Sequence, residues 1–193
     1  MKAVLLEVPE HLLEERRRTG ADRFDEMWDG VLHMGPPPSG HHQRFGTRLV
    51  AVLVPLADDR ELVASYETGL ARPGAQKTNY RIPDLAFYRR EHASEFGIDG
   101  RVELAVEIRS PHDETYEKLG FYAEIGVQEL LVVHPVTCQV ELFALLDGRL
   151  ELTDADGEGA VSSASLGVSF CAADGPALRV QWPGGTRLVT GDA

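Results

Sequence analysis

The chain has 193 residues, 43% of them hydrophobic and 26% charged, which predicts a single domain over residues 1–193 with a substantial core. No apolar run reaches the ~18 residues of a membrane span, and the N-terminus has no signal-peptide pattern, so we expect a cytoplasmic protein that does not enter a membrane. The formal net charge is −12 and the positive residues are scattered along the chain, so any contact with nucleic acid would have to be local and would be opposed by the overall charge.

Helix and hairpin signals organise the first third of the chain. A short helix is predicted at 9–18, and Asp29-Gly30 lies between two alternating segments, the pattern of a two-residue hairpin. Ser39 follows three prolines and is predicted to cap a longer helix. That helix has one buried stripe at helical spacing: Phe45, Leu49, Val52, Leu53 and Leu56.

The remaining elements alternate between strands and one helix. Strands are predicted at 62–67, 84–89, 102–109 and 129–134. A helix near 113–125 is expected to begin at a capping Asp113 and to end at Gly126. An Asp-Gly hairpin follows at 138–152, and beyond Gly157 the pattern becomes turn-rich. This order predicts an α/β (α+β mixed) fold with a central mixed sheet flanked by helices.

Two acids stand at the ends of neighbouring strands. If the strands at 84–88 and 103–107 pair antiparallel with indices that sum to 191, Asp84 faces Glu107 with Cβ atoms ~5 Å apart. Carboxylates so close repel each other unless a proton or a cation lies between them. Magnesium suits such a site, because it binds one or two carboxylates together with waters and phosphate oxygens. The alternative is that both acids lie on a solvated face of the sheet.

The ordered set of motifs resembles the Uma-type restriction endonuclease family, a branch of the PD-(D/E)XK nuclease superfamily. The resemblance rests on Pro83-Asp84, on the Glu-x-x-Ser-Pro signature that begins at Glu107, and on the helix EKLGFY followed by Gly126-Val127. It covers about residues 26–135 and leaves 138–193 as a C-terminal hairpin and turn-rich tail. It implies a restriction-endonuclease-like fold.

The resemblance also implies a set of site residues. Asp84 and Glu107 would be the metal ligands, for Mg²⁺ or for Mn²⁺. The superfamily lysine normally stands two residues after the second acid, where this chain has Arg109, and in this branch it moves to the next helix, which here means Lys118. Arg109 would then contact the substrate phosphate, because arginine stays protonated and cannot take a proton from water.

Other readings remain open for several of these residues. Helical spacing places Lys118 about 100° from a stripe of Tyr116, Leu119 and Ala123, so it is either catalytic or a surface lysine at the edge of the buried face. His42 is expected to point inward, either as a substrate-binding or acid-orienting group or as a packed core histidine. Glu26 is a candidate third ligand, and His134 replaces an acid that relatives carry before Pro135.

The expected function is metal-dependent hydrolysis of DNA phosphodiester bonds, by Asp84, Glu107 and Lys118. One alternative is a non-catalytic module on the same fold that binds nucleic acid or protein, and another is a structural protein whose acids bind stray cations. The net charge favours these alternatives, whereas the ordered acids and Lys118 favour the nuclease. Cutting both strands of a duplex usually takes two active sites, so we expect a homodimer.

Overall fold

The computed structural model describes residues 3–5, 8–110 and 113–191, so Pro111 of the Ser-Pro signature lies outside the described residues. None of the described helices is long and apolar enough to cross a membrane. Two 3₁₀ turns lie at Arg90–His92 and Tyr116–Lys118. The helices and strands are, in chain order, β1 (Ala3–Leu5), α1 (Glu10–Thr19), β2 (Glu26–Trp28), β3 (Val31–Met34), α2 (Gly40–Asp58), β4 (Val63–Tyr66), β5 (Leu70–Ala71), β6 (Tyr80–Arg81), β7 (Leu85–Tyr88), β8 (Ile98–Asp99), β9 (Val102–Ile108), α3 (Leu119–Ile125), β10 (Val127–Val133), β11 (Val140–Leu146), β12 (Arg149–Leu152), β13 (Val161–Ser163), β14 (Val168–Ala173), β15 (Ala177–Trp182) and β16 (Gly185–Thr190).

The central sheet is mixed, as predicted. Its strand order is β12-β11-β10-β9-β7-β4. Strands β9 and β10 are parallel, and the other neighbours are antiparallel. Parallel neighbours need a crossover connection, and here the second 3₁₀ turn and α3 supply it. Both strands are buried along almost their whole length because both of their faces are covered.

The register between β7 and β9 is the predicted one. Leu85 pairs with Val106, and Ala86 pairs with Ala105, so the indices sum to 191. Strand β7 begins at Leu85 rather than at residue 84, and Asp84 is therefore the last residue of the preceding loop. The same register carries Asp84 to the level of Glu107, so that the two acids meet at one end of the strand pair.

Helices cover both faces of the central sheet, which agrees with the expected architecture. On one face α2 packs its buried stripe, including Phe45 and Leu49, against strand residues such as Leu104. On the other face α3 packs Phe121, Tyr122 and Ile125 against the small and branched residues of β7, β9 and β10. Each fully buried side chain of this size contributes about 1.5–3 kcal/mol. These two layers fix the end of the sheet where the acids lie.

A smaller sheet, in the order β1-β3-β2-β6-β5-β8, is built from the N-terminal hairpin. The predicted turn is present, with Asp29 and Gly30 at φ 49° and 86°, the left-handed pair that a tight hairpin requires. Ser39 caps α2 as predicted, since its Oγ accepts a hydrogen bond of 3.2 Å from the His42 amide. The hairpin places Glu26, and the cap places His42, beside the central sheet.

The C-terminal prediction is wrong. Residues 157–193 were expected to be a turn-rich tail, but residues 161–190 form the antiparallel sheet β13-β14-β15-β16. Its apolar face, which includes Phe170, Leu178 and Val180, joins the same core as α2. Arg48 of α2 donates a 2.8 Å hydrogen bond to the Thr190 carbonyl and ties the last strand to the helix.

The helix expected at 113–125 is shorter than predicted. A 3₁₀ turn comes first, and α3 begins only at Leu119. Asp113 does not cap it; its carboxylate accepts hydrogen bonds from the amides of Ser110, at 2.6 Å, and Thr115, at 3.4 Å. Asp113 therefore shapes the loop that follows β9. The predicted end at Gly126 is confirmed, with φ 90°.

Candidate functional site

A cavity of about 510 Å³ opens where β7 begins and β9 ends. Its wall contains Lys118, two histidines and the proline run 36–38. Carboxylates dominate the lining: Glu26, Glu67, Asp84, Glu107, Asp113 and Glu114. These acids repel an anion, and a bound cation would reduce that repulsion. The volume lies within the range of ordinary ligand sites.

Asp84 is held by the strand beside it. Its Oδ2 accepts a 2.6 Å hydrogen bond from the Ile108 amide, and its Oδ1 lies 3.3 Å from His42 Nε2. His42 Nε2 also lies 3.0 Å from the Ile108 carbonyl oxygen. Since both neighbours are acceptors, Nε2 carries the proton. These contacts fit the acid-orienting role among those left open above, and the burial of the ring also fits a packed core histidine.

Lys118 lies between two carboxylates. Its Nζ is 3.0 Å from Glu107 Oε1 and 2.9 Å from Glu26 Oε1. Tyr122, one turn further along, donates its hydroxyl hydrogen bond to the same oxygen of Glu107. Lys118 is only 9% exposed, so the surface-lysine alternative is wrong. The prediction misplaced it because the angle was measured from a stripe of Tyr116, Leu119 and Ala123, which is not the buried face; Tyr116 is 37% exposed.

Glu26 is fixed by three donors. Its Oε1 accepts from the Ile82 amide at 2.8 Å as well as from Lys118, and its Oε2 accepts from Trp28 Nε1 at 2.8 Å. Nearby, the Arg81 guanidinium is stacked between the rings of Trp28 and Phe121, with each ring centroid 4.2 Å away. The carboxylate is thus aimed at Lys118 by rigid neighbours.

Glu26 and Glu107 share one buried ammonium, with the charge of Asp84 nearby, and the pKa values of Glu26, Glu107 and Lys118 reflect this imbalance. Burial, the charge of Asp84 and the charge of Glu26 raise the pKa of Glu107 to about 7, although Lys118 and Tyr122 act in the opposite direction. Burial alone would raise the pKa of Glu26, but Lys118 and the hydrogen bonds from Ile82 and Trp28 lower it overall. Burial alone would lower the pKa of Lys118, but Glu107 and Glu26 raise it above its usual value. An additional cation would remove the excess negative charge.

The surroundings of His42 also shift its pKa. Burial alone would lower its pKa, but the hydrogen bond and charge of Asp84, together with the Ile108 carbonyl, raise it above the usual value. Its Nδ1 is buried and has no hydrogen-bond partner among the residues that the structure describes. The imidazole is held by its other nitrogen alone.

The carboxylate oxygens of the cavity suit a divalent metal ion that keeps many of its own water ligands. Glu107 uses Oε1 for both Lys118 and Tyr122, and within the described ranges no partner contacts its Oε2. Asp84 Oδ1 has only the longer contact to His42. No group of three or more His, Cys, Asp or Glu side chains in residues 3–5, 8–110 and 113–191 is arranged to enclose a metal. Two carboxylates with waters and phosphate oxygens match magnesium rather than zinc.

Two residues named from the sequence lie outside the cavity wall. Arg109 pairs with Asp113 at 3.3 Å and stacks on the Tyr116 ring, with its guanidinium carbon 4.6 Å from the ring centroid. His134 lies 3.9 Å from Glu141, in a separate depression. For Arg109 to contact a substrate phosphate, it would have to leave Asp113.

Sequence reasoning missed Tyr122 and Glu67. Tyr122 shares its buried face with Lys118, Phe121 and Ile125, and this spacing of i, i+3, i+4 and i+7 was readable from the chain. Glu67 lines the cavity from the loop after β4 and receives hydrogen bonds from Gln43 and, at 3.0 Å, from Arg23. Only the folded chain brings that loop to the cavity.

Comparison with known proteins identifies the family of the chain. The sequence model of the Uma2 family, described as "Putative restriction endonuclease", matches residues 11–174. The chain belongs to the Uma2 family. A search among curated proteins finds no match.

A solved structure shares the fold of this Uma2 protein. It is a putative nuclease belonging to DUF820 from Anabaena variabilis, with 18% sequence identity and a TM-score of 0.58. The match covers 74% of this chain and 82% of the other. The restriction-endonuclease-like fold expected from the sequence is thereby confirmed, and the family supports a nuclease-like function in general terms.

Proposed function

We propose that this Uma2 protein is a magnesium-dependent endodeoxyribonuclease that hydrolyses phosphodiester bonds at the 510 Å³ cavity. One observation carries the proposal. Asp84, Glu107 and Lys118 come from three separate segments and line the same cavity, although they are up to 34 positions apart in the sequence. A sheet whose acids were merely solvated would not bury a lysine beside them.

Asp84 and Glu107 are the residues that would hold the metal, with Mn²⁺ as an alternative to Mg²⁺. When bound there, the ion polarises the phosphate and lowers the pKa of a coordinated water. His42 and the Ile108 amide keep Asp84 in one orientation, and Tyr122 does the same for Glu107. This support matters because a ligand that is out of place binds metal more weakly.

Lys118 supplies positive charge at the reacting phosphate. Its surroundings raise its pKa, so it stays an ammonium and does not act as a base. An ammonium has three donors, and two are directed at Glu26 and Glu107. The third can reach a phosphate oxygen in the cavity and stabilise the negative charge that builds up in the transition state.

The second candidate is a binding module without catalysis. The net charge of −12 and the ion pair that occupies Arg109 both weaken the hold on DNA, so within this alternative they favour a protein partner over nucleic acid. In either case we propose a cytoplasmic protein that forms a homodimer, and any contact with DNA is local.

Nicking of supercoiled DNA separates the two candidates. The nuclease proposal predicts that purified protein with Mg²⁺ or Mn²⁺ converts supercoiled plasmid to the open circle, and that EDTA or Asp84→Asn abolishes the conversion. Loss of a metal ligand removes the metal's whole contribution to the rate. Binding of DNA without nicking by the wild type, at either ion, would establish the module instead.

A further inference from the structure

Glu26 is the second carboxylate at Lys118, and its contact is as close as that of Glu107. The two Nζ–Oε1 distances are 2.9 and 3.0 Å. Glu26 is 6% exposed and stands on β2, in a different sheet from Glu107. Lys118 therefore bridges the N-terminal hairpin and the central sheet.

The two carboxylates face different demands once a divalent cation is bound. Glu107 would have to serve the cation as well as Lys118, and two positive groups on one carboxylate repel each other. Glu26 has no such conflict, since its oxygens already receive Ile82, Trp28 and Lys118. Without Glu26, the Lys118 ammonium would have no fixed partner once the cation is bound to Glu107.

We propose that Glu26 is a positioning residue for Lys118, which holds the ammonium in place while Glu107 serves the metal, and that it is not a third metal ligand. The inference rests on the proposed function for its catalytic meaning. It corrects the candidate role that the sequence suggested for Glu26, and it gives the N-terminal hairpin a part in the site.

A double-mutant cycle in unfolding tests the inference without any activity. Glu26→Gln, Lys118→Met and the double variant of the full chain are unfolded in urea, with and without Mn²⁺. We expect the pair to be coupled by about tenfold or more in the unfolding constant, because contacting charged groups are not additive. We expect this coupling to persist in Mn²⁺, whereas the coupling between Glu107 and Lys118 shrinks. Disappearance of the Glu26–Lys118 coupling in Mn²⁺ would overturn the inference.

Thermal melting separates a positioning residue from a ligand. Glu26→Gln should melt at a higher temperature with Mn²⁺ than without it, by the same shift as the wild type, while Glu107→Gln should lose the shift. If Glu26→Gln loses the shift as Glu107→Gln does, Glu26 is a ligand and the inference fails.

The rate of DNA cleavage tests the catalytic part of the inference, and Glu129→Gln is the matched control. Glu129 is also a buried glutamate that accepts three hydrogen bonds, from Ser163, Ala164 and Ser165, but it does not line the cavity. We expect Glu26→Gln to nick DNA at least about tenfold more slowly at saturating Mn²⁺, and Glu129→Gln to nick at the wild-type rate. Equal rates for Glu26→Gln and wild type would refute the positioning role. A wild type that never nicks would refute the proposed function, while the unfolding cycle still decides where Lys118 is held.

Discussion

Lys118→Met should destabilise the protein strongly, and by an amount that depends on pH. The substitution leaves Glu26 and Glu107 buried without their ammonium; their side chains are 8% and 7% exposed. Removing one partner of a buried ion pair costs about 3–5 kcal/mol of the free energy of unfolding. For a chain of this size that corresponds to a fall of roughly 6–20 °C in the melting temperature.

The pH dependence follows from Glu107. Its folded pKa of about 7 lies above the unfolded value of 4.5, so the folded protein binds the extra proton and stability falls as pH rises through this window. Lys118 lowers that pKa, so its loss extends the fall to higher pH. The gap between the variant and the wild type should therefore be larger at pH 8 than at pH 6.

Urea unfolding followed by tryptophan fluorescence at both pH values measures the gap. Lys77→Met is the matched control, because Lys77 is exposed and its loss should change stability by less than about 0.5 kcal/mol. Equal stabilities for the two variants, or a gap of the same size at pH 6 and pH 8, would refute the electrostatic account of the three acids.

Asp84, Tyr122 and the assembly give further expectations. Mg²⁺ or Mn²⁺ should raise the melting temperature of the wild type, because a ligand that binds only the folded state stabilises it. Asp84→Asn should remove most of this gain. A wild type whose melting temperature does not change with either ion would contradict a metal site shared by Asp84 and Glu107. Tyr122→Phe removes a hydrogen bond that lowers the pKa of Glu107, so a larger share of Glu107 should be protonated at pH 6.5. Calorimetric titration should therefore show an Mn²⁺ affinity roughly tenfold weaker than that of the wild type at pH 6.5, with recovery above pH 8. An affinity unchanged at pH 6.5 would refute this expectation. Light scattering should give twice the monomer mass of 21.2 kDa, and a monomer at all micromolar concentrations would refute the dimer.

The central sheet was predictable because its pattern is local and strong. The register that brings Asp84 to Glu107 was assumed, since the long loop between the strands does not fix it, and the structure has that register. Asp-Gly turns and the Ser39 cap were equally readable, since each needs only a few consecutive residues.

The C-terminal sheet was missed although its pattern is present. Leu178, Val180 and Trp182 alternate with polar residues, and Asp174-Gly175 is a hairpin signal like the two that were recognised. Frequent glycine and small residues obscured these short strands. Their apolar face makes sense only against α2, a contact across more than 100 residues that no local window contains.

Candidate residues for the site could be named from the sequence, but their contacts could not. Asp84, Glu107 and Lys118 were named from the family resemblance, but the burial of Lys118 was misjudged because the wrong helical stripe was taken as the buried face. Glu26 reaches Lys118 from another sheet, so their contact could not be read from the chain. Arg109 follows the end of β9, and its ion pair with Asp113 holds it outside the cavity wall.

The single-turnover rate of nicking at saturating Mn²⁺ tests the central claim most directly, with Lys118→Met compared with Arg109→Met. The account predicts nicking by the wild type, a loss of at least about a hundredfold for Lys118→Met, and less than about tenfold for Arg109→Met, because Lys118 contacts Glu26 and Glu107, whereas Arg109 is paired with Asp113. A Lys118→Met variant that cuts as fast as the wild type, beside an inactive Arg109→Met, would contradict the assignment, and a wild type that cuts no DNA with any divalent ion would contradict the nuclease itself.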